Sequence, residues 1–97
     1  MRKSAVKETV IRKESRNIEG NIYDYSLIMN ESNKVASYKL PLYSIQIEMT
    51  DSEGKKTHAI TRDLFADVGK ALVFFKRLVD NLATPLNLPY IIEDDLQ

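Results

Sequence analysis

Apolar residues recur at every second position through the first two thirds of this chain, and then at helical spacing from Leu64 to Leu82. A period near two belongs to strands with one packed face, and a period near 3.6 to an amphipathic helix. Strands grouped first and a helix after them define an α+β arrangement, not alternating βαβ units. The expected fold is a four-stranded antiparallel β-meander packed by one long amphipathic helix and followed by a short C-terminal helix.

The strands follow from the pattern. Lys7–Lys13 reads as a polar strand suited to a sheet edge. Glu19-Gly20-Asn21 is turn chemistry, because Gly and Asn accept positive φ. Tyr23, Tyr25, Leu27 and Met29 then share one side of a second strand, with Asp24, Ser26 and Asn30 on the other. Asn30–Lys34 is a polar loop. A third strand spans about Tyr38 to Thr50, with Pro41 favouring an edge or bulge near its start. Tyr43, Ile45, Ile47 and Met49 alternate there with Ser44, Gln46, Glu48 and Thr50. Asp51-Ser-Glu-Gly54 is a hairpin turn, and Lys55–Thr61 returns antiparallel.

In the helical stretch, Leu64, Val68, Ala71, Leu72, Phe75, Leu78, Val79 and Leu82 fall on one broad face. Asp63 is the expected N-cap. Lys70, Lys76, Arg77 and Asp80 form the solvent face, and Val73 projects among them. Pro85 stops the helix by forcing Thr84 towards extended backbone. Asn87 caps a second helix from Leu88 to about Leu96, where Pro89 is tolerated in the first turn. Its buried stripe is Leu88, Ile91, Ile92 and Leu96.

At 97 residues the whole chain, 1–97, is expected to be one small domain, with residues 1–5 flexible. Fourteen basic residues balance fourteen acidic ones, which argues against a general nucleic-acid or anionic-membrane binder. The balance hides an asymmetry. Arg2, Lys3, Lys7, Arg12, Lys13 and Arg16 stand against Glu8 and Glu14 near the N-terminus, while Glu93, Asp94 and Asp95 crowd the C-terminus. Such charge is usual on solvated surfaces, and it also suits head-to-tail complementarity between copies or one partner-facing patch. No cysteine is present, so disulfides, thiolate metal sites and thiol nucleophiles are excluded, consistent with a cytoplasmic location. No apolar run approaches the length of a membrane span, and Met1-Arg-Lys is not followed by the apolar core of a secretory signal.

The chemistry-bearing residues do not assemble into a motif. His58 is the only histidine, on a strand with Lys56 and Ile60, and a zinc ion needs several more ligands than one imidazole. A catalytic reading needs it to meet a carboxylate such as Asp24 or Glu48. Glu93-Asp94-Asp95 offers oxygens that suit a hard cation, but consecutive helical residues diverge by about 100°, which favours a solvated end or a partner contact. Tyr23, Tyr25, Tyr38 and Tyr43 can stack bases on an open sheet, or pack a core. Gly20, Gly54 and Gly69 form no phosphate loop. Gly69 inside a helix costs about 1 kcal/mol relative to alanine, so beside Val73 it suggests a close neighbour. No catalytic, metal-binding or cofactor-binding residue is assigned, and no cofactor.

The C-terminal residues Thr84, Pro85, Leu88, Ile91 and Asp94, with Leu96 close behind, follow a Thr-Pro-x-x-Leu-x-x-Ile/Val-x-x-Asp pattern. Together with the strand-rich first half and the amphipathic helix, the chain resembles a family of short bacterial proteins, mainly of Gram-positive anaerobes, classed as a domain of unknown function. The resemblance covers about residues 20–96, and Pro89 departs from the pattern. It implies a cytoplasmic bacterial protein with a compact α+β fold, and no activity.

The expected function is therefore a non-enzymatic interaction or self-association module. Its partner is a second copy (a homodimer) or another cytoplasmic protein. The candidate interface is Gly69, Val73, Glu93, Asp94 and Asp95. The alternative is small-ligand or single-stranded nucleic-acid binding on the tyrosine-bearing sheet face.

Overall fold

A computed structural model describes residues 7–31 and 41–95. The expectations for residues 1–5, for Tyr38 and the start of its strand, for most of the loop after Asn30, and for Leu96 lie outside the described residues. Four strands run in the order β1 (Lys7–Ile18), β2 (Asn21–Glu31), β3 (Leu42–Thr50) and β4 (Lys56–Phe65). Two helices follow, α1 (Val68–Asp80) and α2 (Leu88–Asp95). Each strand pairs antiparallel with the next, so the sheet is a meander in sequence order. The α+β arrangement read from the change of period is thus present.

The turns explain the topology. Ile18 pairs with Asn21, leaving Glu19 and Gly20 as a two-residue connection with φ of 52° and 87°. Paired positive φ values belong to the primed turns whose twist matches that of a hairpin. Between β3 and β4, Asp51 organises the reversal. Its backbone oxygen accepts from Gly54 N at 2.9 Å, and its Oδ1 accepts from Glu53 N and Lys55 N at 2.9 Å each.

Up to the start of α1, three boundaries differ from the periodic reading, and α1 also ends at Asp80, two residues before Leu82. First, β1 continues to Ile18, five residues past Lys13, because register with β2 is held up to the turn. Second, β4 continues to Phe65. Asp63 takes φ 57°, the register shifts between Tyr43 and Ile45, and Phe65 re-enters the sheet opposite Tyr43. The side chain of buried Ser44 fixes this bulge, its Oγ accepting from Asp63 N at 2.9 Å and from Asn30 Nδ2 at 2.8 Å. Third, α1 therefore begins at Val68 and spans 13 residues. Its N-cap is Asp67, not Asp63; the Asp67 carboxylate accepts from Gly69 N at 2.7 Å and Lys70 N at 3.2 Å. That satisfies two of the otherwise unpartnered donors of the first turn.

One face of the sheet builds the core. Tyr25 and Leu27 of β2 and Tyr43, Ile45 and Ile47 of β3 join Ala71, Phe74, Phe75, Leu78 and Val79 of α1, with Ala83 and Leu88 completing the buried cluster. Phe65 and Phe74 stack tilted with centroids 5.4 Å apart. The helix ends where Asn81 N and Nδ2 both donate to Arg77 O and Leu82 turns left-handed at φ 55°. A reciprocal pair then shapes the link to α2. Asn87 Oδ1 accepts from Thr84 N at 2.7 Å, and Thr84 Oγ1 accepts from Asn87 N at 3.2 Å. The Asn87 side chain thus holds the link, while its backbone oxygen accepts from Ile91 N in α2. Leu88 is fully buried, and Ile91 and Ile92 pack against the cluster.

β1 is the exception. None of its described residues enters the buried cluster, and α1 lies over β2, β3 and β4. The first strand therefore extends the sheet beyond the area its helix covers.

Candidate interaction surface

Register places Arg12 opposite Leu27, Glu14 opposite Tyr25 and Arg16 opposite Tyr23. Cross-strand partners share a face, so these three charged residues of β1 point to the same side as the core. They form the floor of a groove of about 320 Å³, whose apolar wall is Leu72, Val73, Phe75 and Val79 of α1, with Lys76 and Asp80 at its rim. Glu14 and Arg16 sit 3.4 Å apart with side chains 37% and 41% exposed, so this ion pair remains in contact with water and adds little by itself. Lys76 and Asp80 pair at 3.0 Å along the helix.

Val73 stands 63% exposed on the ridge between this groove and a second one. The second, about 330 Å³, is lined by Phe65, Gly69, Lys70, Val73, Phe74 and Arg77. Gly69 and Val73 are thus brought together, as their helical spacing implies. Among the described residues, however, the close neighbour of Gly69 is not another element. A Cβ there would meet the Asp67 cap carboxylate at 3.1 Å, so the glycine gives room to the helix cap. A third groove, about 230 Å³, sets Asp94 with Arg77, Asn81 and Ile91. Glu93 and Asp94 are exposed, and Asp95 closes α2. Phe74 and Arg77 line both this groove and the one beside Gly69 and Val73, so Asp94 lies in the groove adjoining that spot.

Sequence reasoning missed Arg12, Glu14 and Arg16 as a set. Their alternation was visible, but a strand ending at Lys13 left Glu14 and Arg16 without a face.

The tyrosine platform is corrected by the same geometry. Tyr25 is fully buried and Tyr43 nearly so, both beneath α1, and Tyr23 is half-buried beside them. The Tyr25 hydroxyl donates to Ala83 O at 2.8 Å. Burial, reinforced by neighbouring Tyr23 and opposed by Arg16, pushes the Tyr25 phenol up to about 12. No base can reach Tyr25 or Tyr43.

On the opposite face, Ser15, Asp24, Glu48 and His58 occupy successive register positions across all four strands. The Ser15 hydroxyl donates to Asp24. His58 does stand beside Glu48, but it is exposed, and none of the three grooves is lined by this row. Among the described residues, no group of three or more His, Asp or Glu is arranged to hold a metal ion.

Fold and surface together define a small α+β protein with an edge strand that no other described element covers and a grooved helix flank. The chain belongs to a family of unknown function, DUF6514, whose model matches residues 4–97. The match takes in β1, where the resemblance drawn from the C-terminal residues reached only to about residue 20. No curated protein and no solved structure matches the chain. No helix among the described residues is long and apolar enough to cross a membrane.

Proposed function

We propose that the protein is a non-enzymatic interaction module of the bacterial cytoplasm that self-associates, forming a homodimer. The observation that carries this reading is the uncovered strip formed by β1 and the adjoining flank of α1. There an exposed Val73 and the apolar wall behind it face three charged residues that no other described element covers. An apolar strip rimmed by paired charge is the anatomy of a protein-binding surface, whose core excludes water while its rim sets register. A chain without cysteine suits the reducing compartment proposed. Gly69 contributes to the adjacent groove, and Glu93, Asp94 and Asp95 provide an acidic end for a further protein contact.

Light scattering coupled to size exclusion tests the reading. A mass near twice 11.1 kDa is expected at high protein concentration and is expected to persist at high salt, since exposed charge pairs supply little of the association energy. A mass of one chain at every concentration, with and without salt, contradicts self-association.

A further inference from the structure

We infer that β1 pairs antiparallel with β1 of a second copy, in the register that sets Ser15 opposite Ser15. This rests on the self-association reading above and names the surface that performs it.

Among the described residues, β1 bonds to β2 along one side only, and its other edge carries unpaired backbone donors and acceptors. Edge strands are commonly protected by charge, and β1 is rich in it. The charge here is of both signs, however, and its order matters. On the groove side the strand reads Arg12, Glu14, Arg16, and on the other side Lys13, Ser15, Asn17. When two such strands run antiparallel about Ser15, each Glu14 lies opposite an Arg16 of the other copy, twice by symmetry. Each Lys13 lies opposite an Asn17. No like charges meet. Shifting the centre by one residue to Glu14 sets two glutamates opposite each other, and a further shift to Lys13 does the same with two lysines. Like charges directly opposite are destabilising, and opposite charges favourable.

A second observation selects the same centre independently. β1 is irregular between Val10 and Arg12, and its turn begins after Ile18. The regular stretch is thus Arg12–Ile18, and its midpoint is Ser15. Full use of that stretch by two copies requires the register that the charges favour. The paired strand also extends the floor of the groove beside Val73 and Leu72, continuing the sheet past the area covered by one helix. The interface is isologous and closes as a dimer, so it leaves no free β1 edge to propagate into fibres.

Two charge variants test the register. E14K and R16E each place like charges opposite in both symmetric pairs, and each alone is expected to weaken dimerisation about tenfold or more. Mixed in equal amounts they become complementary. The introduced lysine and native Arg16 of one copy then face the introduced and native glutamates of the other, and dimer mass returns. That recovery also shows both variants to be folded. Because the chain has no native cysteine, Ser15→Cys is expected to cross-link covalently on oxidation, while Lys13→Cys, offset by four residues from its copy, is not. Dimer mass retained by both charge variants, or cross-linking of Lys13→Cys in place of Ser15→Cys, overturns the inference while leaving self-association standing on another surface. A wild-type chain that stays monomeric removes both.

Discussion

Replacing Tyr25 by alanine is expected to lower the unfolding free energy by about 3–5 kcal/mol, a large part of the total stability of a domain this size. The side chain is fully buried where β2 passes beneath α1. Its hydroxyl reaches across 58 residues of sequence to the Ala83 carbonyl, fastening the sheet to the segment between the helices. Truncation both opens a cavity and leaves that carbonyl without its partner. Tyr25→Phe separates the two effects. It keeps the ring, loses the hydrogen bond, and is expected to cost about 1–2 kcal/mol. Urea unfolding of the three proteins checks both values. A loss below about 1 kcal/mol for the alanine variant would place the ring outside the core and return the tyrosine face to consideration as a binding platform.

The same residue gives a pH signature. The native phenol is held protonated up to about 12, against 10.0 for the free group, so the folded state retains a proton that the unfolded chain releases. The associated stability is complete below the lower value, falls as pH rises above it, and is gone above the higher one. At about pH 11 the expected loss is on the order of 1 kcal/mol. Tyr25→Phe removes this contribution, so its stability falls less steeply in that range than that of the wild type. Equal slopes would contradict the burial argument.

Leu88→Ala is expected to cost about 2–5 kcal/mol, with the loss concentrated at the C-terminal end. Leu88 is fully buried and begins an eight-residue helix. A helix that short has no stability of its own in water, so α2 exists because Leu88, Ile91 and Ile92 dock on the cluster. Removing the deepest of these anchors releases α2 before the sheet melts. Hydrogen exchange is expected to show lost protection over Leu88–Asp95 with β2 and β3 little changed. Uniform loss across the sheet would instead make α2 an integral part of one cooperative unit.

The sheet was legible because two of its strands, β2 and β3, write their packed face directly in the sequence. Tyr43, Ile45 and Ile47 alternate with polar residues, and the Asp51–Gly54 reversal carries its own turn chemistry. What eluded the pattern has specific causes. Leu64 and Phe65 fit a helical period as well as an extended one. Only the left-handed Asp63 and the Ser44 hydrogen bonds, which are tertiary facts, assign them to β4. Asp63 and Asp67 are equally good caps by type, and the choice follows from where the strand ends. The periodic reading ends β1 at Lys13 because no apolar alternation marks Glu14 to Ile18; the strand state there comes from pairing with β2. The surface was partly legible. Gly69 and Val73 came together from helical spacing alone, whereas the Arg12–Glu14–Arg16 floor needed the register.

Amide hydrogen exchange across β1 as protein concentration is raised tests strand pairing between copies most directly. In a monomer, the backbone N–H groups of Arg12–Ile18 that point away from β2 exchange freely. Pairing of β1 with its copy is expected to protect these alternate amides as the mass doubles, while those already bonded to β2 change little. Doubling of the mass with the free edge of β1 exchanging at an unchanged rate would contradict it.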